Sequence, residues 1–282
     1  MVRLTIDNRE IEVSPDLTIL AAARANGIKI PHLCDDPRLE SVGACRLCQV
    51  HIGTTGAPPV LACTTRVSEG MKVITESPEL AGRRKFILEM LLSEHRVACT
   101  SCDADGDCGL QELSYRYGAN EWVYGTFQHV EPVLLNYTSD DRGIEYDVEK
   151  CIRCGRCVRF CDEVQGVCAL TLDSRGIAMK VTTAHGRPLR ESDCELCGGC
   201  VRTCPTGAMR ERAAKGLGRT KDLVKVQTTC SYCGVGCTMD LNVNPRLNRV
   251  VRVTTSPGQG SNDGNLCVKG HFAFDFINSP ER

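Results

Sequence analysis

The sequence has few of the features that mark several large classes of protein. Aromatic residues make up only 5% of its 282 residues, which is a thin supply for one large core. The 34 lysines and arginines nearly balance the 35 aspartates and glutamates, so no basic excess indicates a nucleic-acid partner. No apolar run reaches the ~18 residues of a membrane-spanning helix. The opening MVRLTIDNRE lacks the apolar region of a secretion signal, and we expect a cytoplasmic protein.

Nucleotide-binding and hydrolytic motifs are missing as well. The stretch KGLGRT does not follow the pattern of a phosphate-binding loop, and no G-x-G-x-x-G follows a predicted strand. No pair of carboxylates or other acid–base constellation stands out. The sequence therefore predicts no nucleotide site and no catalytic residue in this chain.

Cysteine is the residue that the chain has in abundance. In a secreted protein, 20 cysteines would suggest disulfides, but in a reducing cytoplasm this density indicates metal binding. One cysteine, Cys168, stands alone and is expected to be a small core residue. The others form five groups: Cys34, Cys45, Cys48 and Cys63; Cys99, Cys102 and Cys108; Cys151, Cys154, Cys157 and Cys161; Cys194, Cys197, Cys200 and Cys204; Cys230, Cys233, Cys237 and Cys267.

The third and fourth groups carry the most specific spacing. CIRCGRCVRFC and CELCGGCVRTCP both read C-x2-C-x2-C-x3-C, the spacing of two-cluster ferredoxins, in which the last cysteine of each motif ligates the other cluster. A pair of zinc sites is the alternative, but zinc ribbons usually present two separated C-x2-C pairs. The spacing predicts one [4Fe–4S] cluster on Cys151, Cys154, Cys157 and Cys204 and another on Cys194, Cys197, Cys200 and Cys161.

The first group follows a β-rich opening. VRLTID and EIEV alternate like a hairpin, and SPDLTILAAARANG predicts a helix that Ser14 caps and Gly27 ends. A hairpin, a helix and a cysteine loop follow one another in the same order in plant-type β-grasp ferredoxins, although the first gap of ten residues is longer than in those proteins. A [2Fe–2S] cluster is therefore predicted, with zinc as the alternative. The ligands would be Cys34, Cys45, Cys48 and Cys63.

The second group is one ligand short. SPELAGRRKFILEMLLSEH predicts a helix that Ser77 caps and that has His95 at its C-terminal end. A histidine there could simply interact with the helix dipole. Because histidine can replace cysteine on iron, we favour a [4Fe–4S] site instead. Its ligands would be His95, Cys99, Cys102 and Cys108.

These motifs resemble a known group of redox proteins. HRVACTSCDADGDCGLQEL and CIRCGRCVRFCDEVQG are similar to motifs shared by the large iron–sulfur subunit of respiratory NADH dehydrogenase, NAD-linked hydrogenases and NAD-linked formate dehydrogenases. The resemblance covers residues 1 to about 208.

The last group resembles the N-terminal [4Fe–4S] domain of molybdopterin oxidoreductases. TTCSYCGVGC and the later NLCVKG are most similar to formate dehydrogenases. The resemblance implies that Lys269 lies between this cluster and a pterin, whereas a lone lysine is otherwise an ordinary solvated side chain. It also implies a [4Fe–4S] cluster on Cys230, Cys233, Cys237 and Cys267.

The order of the motifs predicts an α+β, multidomain iron–sulfur protein. The basic, glycine-containing stretch MRERAAKGLGRTKDLVKV is expected to be a linker. The expected divisions are a β-grasp [2Fe–2S] domain at 1–77, a histidine-ligated [4Fe–4S] segment at 78–140, a two-cluster ferredoxin domain at 141–208, the linker at 209–226 and a pterin-proximal [4Fe–4S] domain at 227–282.

This order resembles the N-terminal region of the α subunit of NAD(P)-dependent formate dehydrogenase. The resemblance implies electron transfer through one [2Fe–2S] and four [4Fe–4S] clusters, between a molybdenum- or tungsten-pterin formate site and a flavin subunit that reduces NAD(P)+. The pterin and the FMN are expected in partner chains or beyond Arg282, because the residues of the pterin-binding body are not in this sequence. The chain would then be a truncated subunit or a naturally short one.

This chain alone is not expected to oxidise formate, and it is expected to be an enzyme only as part of a multisubunit oxidoreductase. Ferredoxin is a further candidate partner. Two alternatives remain: a relay subunit of an NAD-linked hydrogenase or NADH dehydrogenase-like complex, and a scaffold stabilised by zinc.

Overall fold

The computed structural model describes residues 1–121, 123–124 and 143–281. The predicted domain boundary at 140/141 lies outside the described residues. The chain divides into two compact units, of which the first comprises Met1–Ser93 and Gly109–Phe127 and the second comprises Glu94–Cys108 and Gln128–Arg282. Among the described residues, no helix is both long enough and apolar enough to cross a bilayer.

The first unit is built on a five-stranded sheet and a short helix. Its elements are β1 (Val2–Ile6), β2 (Arg9–Val13), α1 (Ile19–Ala25), β3 (Gln49–Ile52), β4 (Val60–Leu61) and β5 (Lys72–Ile74). The strand order is β2-β1-β5-β3-β4, in which β1 runs parallel to β5 and the other pairs are antiparallel. The buried residues of α1 share one apolar core with the inward-facing residues of β1, β3 and β5.

The predicted hairpin is present, but the predicted helix begins later than its sequence suggested. Asp7 and Asn8 connect β1 to β2 with positive φ angles of 48° and 66°, a conformation that both residue types tolerate. The helix α1 is capped by Thr18, whose Oγ1 accepts a hydrogen bond of 3.2 Å from the Ala21 amide. The cap at Ser14 was therefore wrong, and the residues before Thr18 belong to the turn that follows β2.

Two further helices complete the first unit, α2 (Pro78–Ser93) and α3 (Gly109–Tyr117). Ser77 caps α2 as predicted, because its Oγ accepts a 3.1 Å hydrogen bond from the Leu80 amide. The helix ends at Ser93, two residues before His95. Sequence reasoning did not predict that Arg84, in the middle of α2, would be fully buried.

The second unit contains two short antiparallel ladders around a pair of short helices. Strand β6 (Ile144–Tyr146) pairs with β9 (Met209–Glu211), and β7 (Leu170–Asp173) pairs with β8 (Lys180–Thr183). The helices are α4 (Arg156–Arg159) and α5 (Gly199–Thr203), each preceded by a left-handed glycine. A three-stranded antiparallel sheet, β10 (Val224–Thr229), β11 (Thr238–Asn244) and β12 (Arg249–Thr254), follows, and then helix α6 (Val268–Phe272).

Residues 209–226, which the sequence predicts to be a linker, contain secondary structure, and their role as a linker remains a prediction. They contain β9, two single turns of 3₁₀ helix and the start of β10. This segment contacts acidic residues of the loop before α3. Lys221 Nζ forms an ion pair with Asp105 Oδ2 at 2.6 Å, and the backbone amide of Gly216 donates to Asp103 Oδ1 at 3.2 Å. These partners lie about a hundred residues earlier in the chain, so local composition did not predict the pairing.

Candidate iron–sulfur sites

The first site consists of two thiol pairs in the loops on either side of β3 and β4. All four thiols are buried. Cys34 shares a hydrogen bond with Cys45, which lowers the pKa of Cys45 to about 7, and Cys48 shares one with Cys63, which raises the pKa of Cys48. Each iron of a [2Fe–2S] cluster takes two protein ligands, and two pairs of buried thiols fit that requirement.

Backbone amides also point at the first site. The Cys45 amide donates to Cys34 Sγ at 3.3 Å, and the Leu33 amide donates to Cys45 Sγ at 3.4 Å. Amide donors of this kind stabilise negative charge on sulfur. The loop therefore favours thiolates at positions where burial alone would disfavour them.

Arg84 holds the backbone next to the first site. Its guanidinium donates to the carbonyls of Leu47 and Gln49, which flank Cys48, at 3.1 and 2.7 Å. It also donates to the Thr75 carbonyl at 2.8 Å and to Glu76 Oε2 at 2.8 Å. A buried guanidinium whose N–H groups have acceptors is held in one orientation, and here it fixes the position of the strand that follows Cys48.

The second site lies on the segment Glu94–Cys108 of the second unit. Burial, with a further contribution from the Lys150 ammonium, lowers the pKa of His95 to about 4, and the ring hydrogen-bonds the Lys150 backbone. Its Nδ1 is buried and has no hydrogen-bond partner among the described residues. A neutral imidazole with one nitrogen oriented by a carbonyl and a lone pair left over on the other has the form that binds metals.

The cysteines of the second site lie in a tight turn. Cys99 begins a single turn of 3₁₀ helix, and the Cys102 amide closes it by donating to the Cys99 carbonyl at 3.1 Å. Close packing surrounds Cys102, since a Cβ added at Gly207 would lie only 2.7 Å from its Sγ. The histidine and the cysteines fit a cluster site by their chemistry, and their ligation remains a prediction.

The third site is a cavity that the crossed cysteine set lines. Cys151, Cys154, Cys157 and Cys204 all face it, together with Tyr146 and Thr206. Burial, and then the charge of neighbouring Cys204, raise the pKa of Cys154 to about 12. Buried thiolates are costly unless a cation compensates them, so an iron–sulfur cluster fits this set of donors.

The fourth site brings together the other crossed set. The thiols of Cys194 and Cys197 each have Cys161 as an electrostatic neighbour, and Cys200 has all three. The helix α4 and the irregular turn after it carry Cys161 towards α5, the helix that contains Cys200. The Cys204 thiol therefore lies with those of the first motif and the Cys161 thiol with those of the second, and the binding of a cluster by each crossed set remains a prediction.

The fifth site lies at one end of the three-stranded sheet. Cys230, Cys233 and Cys237 lie in the connection between β10 and β11, and the Cys230 amide donates to the Cys237 carbonyl at 2.8 Å. Cys237 has the other three thiols as electrostatic neighbours. Cys267 is the N-cap residue of α6, where the nearby backbone N–H groups of Gly270 and Lys269 lower the pKa of its thiol. Lys269 is exposed, and its proposed role beside a pterin remains a prediction.

Cys168 is not the core residue that the sequence suggested. It is exposed and adopts a left-handed conformation, with φ of 54°. Its thiol donates to Asp162 Oδ1 at 3.1 Å, and its amide donates to the carbonyl of Cys161. It belongs to the turn that leads away from the fourth site.

No set of three or more His, Cys, Asp or Glu side chains in the described part of the chain is close enough to hold a single metal ion.

Four family models match successive parts of the chain. They describe a 2Fe-2S iron-sulfur cluster binding domain at residues 1–78, the iron-sulfur binding region of NADH-ubiquinone oxidoreductase G at 84–121, the ferredoxin-like domain of NADH-quinone oxidoreductase subunit 3 at 142–210 and a molybdopterin oxidoreductase Fe4S4 domain at 223–279. The chain is therefore a mixed α+β, multidomain iron–sulfur protein with one 2Fe-2S domain and further 4Fe-4S domains.

Relatives and a solved structure agree with these matches. The chain is 39% identical over 282 residues to the NADPH-Fe(3+) oxidoreductase subunit alpha of Geobacter sulfurreducens, and 37% identical over 286 residues to a G-type subunit of the NADH-quinone oxidoreductase of Rhizobium meliloti. Both alignments cover 100% of this chain and 32% of the relative, so the chain spans about a third of the length of the curated relatives it matches.

A crystal structure of NAD+-reducing [NiFe]-hydrogenase contains a chain that superposes with a TM-score of 0.68 and 32% identity, covering 78% of this chain and 91% of that one. Formate dehydrogenase specifically is not shown by these comparisons. The sequence and the fold together place the chain in the iron–sulfur family that includes the N-terminal regions of the G-type subunits of NADH-quinone oxidoreductase and of NADPH-Fe(3+) oxidoreductase subunit alpha.

Proposed function

We propose that this chain is the electron-transfer part of a nicotinamide-linked oxidoreductase complex, where it connects a flavin subunit that exchanges hydride with NAD(P)(H) to a second redox chain. The observation that carries the proposal is the closeness of the third and fourth sites, since the thiol of Cys157 has Cys200 as an electrostatic neighbour. Adjacent sites of this kind suit the passage of electrons better than isolated structural metal sites would.

The chain's own residues supply the protein side of this task. Iron–sulfur clusters bound at the sites would exchange one electron each; we propose a [2Fe–2S] cluster at the first site and [4Fe–4S] clusters at the other four. The buried cysteines of the first site, and Cys157 and Cys200 in the ferredoxin pair, limit the access of water. Amides that point at sulfur, such as that of Ala169 at 3.2 Å from Cys161 Sγ, stabilise the negative charge that reduction adds.

The nicotinamide side of the proposal is supported by what the relatives have in common. The names of the Geobacter protein, the Rhizobium protein and the solved hydrogenase each include NADPH, NADH or NAD+. The identity of the second redox chain differs among them, and we leave it open to experiment. An NADH dehydrogenase-like or hydrogenase-like complex therefore fits better than the formate dehydrogenase that the sequence first suggested.

Formate dehydrogenase is the second candidate, and one observation favours it. The fifth site matches the molybdopterin oxidoreductase Fe4S4 domain, and Lys269 follows its fourth cysteine. This motif does not decide the question, however, because the Rhizobium relative named as an NADH-quinone oxidoreductase subunit aligns with the whole of this chain. The region that contains the fifth motif therefore does not by itself separate the two candidates.

The test is to reduce the complex with each candidate donor. The chain would be isolated anaerobically with its natural partner chains and treated with NADH, NADPH or formate, while visible absorbance and EPR spectra report cluster reduction. We expect one of the nicotinamides to bleach the absorbance. Bleaching by formate alone would favour the second candidate, and zinc in place of iron would refute the relay.

A matched variant makes the test specific to the relay. Cys200→Ala removes a ligand of the fourth site only. The variant complex should keep nicotinamide-dependent dye reduction at its flavin subunit and lose electron delivery to the natural acceptor. Unchanged delivery would show that the fourth site is not on the route.

A further inference from the structure

Helix α6 connects the fifth site to the ferredoxin pair. Its N-cap residue, Cys267, belongs to the fifth site. Phe272, the last residue of the helix, packs against the core of the ferredoxin pair, whereas Phe274, two residues further on, belongs to the core of the three-stranded sheet. The helix therefore lies where these two cores meet, and its position sets how far the fifth site is from the ferredoxin pair.

His271 lies on the side of α6 that faces the ferredoxin pair. It is fully buried, and its Nε2 donates to Oε1 of Glu211, at the end of β9, at 2.9 Å. The other ring nitrogen, Nδ1, is next to the turn before α5, because a Cβ added at Gly198 would lie only 2.4 Å from it. The imidazole is therefore held between a strand and a turn of the ferredoxin pair.

The backbone route through His271 from the fifth site to the fourth is short. The His271 amide donates to the Cys267 carbonyl at 3.1 Å, so that one helical turn, about 6 Å in length, separates these two residues. On the other side of the ring, Gly198 directly follows Cys197 and comes two residues before Cys200. His271 therefore contacts the backbone beside a predicted ligand of each site.

Packing alone does not explain a histidine at this position. Its Nδ1 is buried and has no hydrogen-bond partner among the described residues, and a buried polar atom without a partner lowers stability. A leucine would fill a similar space without that cost. What the histidine adds is the directional bond to Glu211, which fixes the rotation of α6 against β9.

A second hydrogen bond joins the same two parts of the chain at another point. Arg202, in α5 and two residues after Cys200, donates from Nη2 to the carbonyl of Thr255 at 2.9 Å. Thr255 directly follows β12, a strand of the sheet that carries the fifth site. Of these two connections, the one through His271 lies on the helix that begins at a predicted cluster ligand.

We propose that His271 is a positioning residue that holds α6, and with it Cys267, against the turn before α5, so that clusters at the fourth and fifth sites are close enough to exchange electrons directly. This inference rests on the proposed cluster-binding function. In that exchange one electron leaves one cluster and enters the other, no bond forms or breaks, and His271 keeps its protons. Because electron transfer slows steeply with distance, a loosened α6 would interrupt the relay between these two sites.

The test measures the magnetic interaction between the two clusters in the intact complex, reduced anaerobically with dithionite. Neighbouring paramagnetic clusters split each other's EPR signals, and removal of the fourth-site cluster by Cys200→Ala should leave the fifth-site signal unsplit. We expect the splitting in the native complex and its loss in His271→Leu, whose side chain is of similar size but cannot donate to Glu211. His271→Gln, which can donate, should retain the splitting. Val268→Ala, at a position of the same helix that is 39% exposed, serves as the control and should leave it unchanged.

Glu211→Ala provides a second variant for the case in which His271→Leu does not fold. It removes the acceptor of the bond and leaves the histidine in place, so it should cause the same loss of splitting while the iron content stays at the native value. A native complex without splitting, a splitting that these variants leave unchanged, or loss of a cluster in place of the splitting would overturn the inference while leaving the other sites of the relay intact. Failure to detect any iron–sulfur signal would instead overturn the proposed function itself.

Discussion

The glycines that precede α4 and α5 offer a quantitative test of the packing around the fourth site. Gly155 and Gly198 occupy equivalent positions in the repeat and have nearly the same backbone, with φ of 71° and 75° and ψ of 2° at both. A Cβ at Gly155 would meet nothing closer than 4.0 Å, whereas a Cβ at Gly198 would lie 2.4 Å from Nδ1 of His271. Substitution by alanine therefore adds the same backbone strain at both positions and a steric clash at only one.

The expected costs follow from these two contributions. A left-handed conformation costs a residue with a Cβ about 1–2 kcal/mol, and forcing an extra carbon into a packed site costs typically about 1–3 kcal/mol. Gly155→Ala should lower the free energy of unfolding by the backbone contribution alone, about 1–2 kcal/mol. Gly198→Ala should lower it by both contributions, about 2–5 kcal/mol in total.

His271 cannot easily move away from the added carbon. It is fully buried, its Nε2 lies 2.9 Å from Glu211 Oε1, and its ring centroid lies 4.5 Å from that of Phe272. The clash should therefore lower the free energy of unfolding, because a change of the His271 rotamer cannot relieve it.

The assay is urea unfolding under anaerobic conditions, monitored by circular dichroism. The midpoints of the variants are compared when the dependence of the unfolding free energy on urea concentration is the same. A third variant closes a thermodynamic cycle. In a His271→Ala background, Gly198→Ala should cost only about 1–2 kcal/mol, as Gly155→Ala does. Equal costs of the two glycine substitutions in the native background, or a Gly198→Ala cost that His271→Ala leaves unchanged, would refute the reasoning.

Three further predictions concern the other sites. His95→Ala should alter the EPR signal of one cluster and leave the other signals unchanged. His185 is an exposed histidine of the same unit, and His185→Ala serves as the control. An unaltered spectrum in His95→Ala would show that His95 is not a ligand. Cys161→Ser should damage the cluster of the fourth site, and damage limited to the third site would refute the crossover. Arg84→Met should lower the free energy of unfolding by at least about 3 kcal/mol, because buried carbonyls lose their donor. Arg83 provides the control, because its side chain is 49% exposed in its ion pair. Arg83→Met should lower the free energy of unfolding by less than about 1 kcal/mol, and equal effects of the two substitutions would contradict the proposed role of Arg84 in fixing the backbone.

The comparisons with relatives limit what motif order alone can say about activity. The fifth cysteine group suggested formate dehydrogenase, yet a relative named for NADH-quinone oxidoreduction aligns with all of this chain, that group included. A ligand motif specifies which cluster binds. It does not specify the chemistry of the chain to which that cluster connects, because the residues that bind that chain's substrate lie elsewhere.

The sequence by itself determined the local grouping of the cysteines and several local elements. Cysteines two residues apart converge on one turn, and Ser77 followed by Pro78 predicted the start of α2 for equally local reasons. These features depend on interactions between near neighbours in the chain, which a sequence displays directly. The exchange of Cys161 and Cys204 between the two motifs is not local, and it was predicted only from the two-cluster ferredoxin spacing.

Only the tertiary structure decided which distant groups act on each site. The Lys150 backbone orients His95, Arg84 binds carbonyls on both sides of Cys48, and the Val181 amide donates to the hydroxyl of Tyr146. The sequence shows each side chain but not its partner, because burial and chain reversal bring together residues far apart in sequence, such as the 35 positions that separate Tyr146 from Val181.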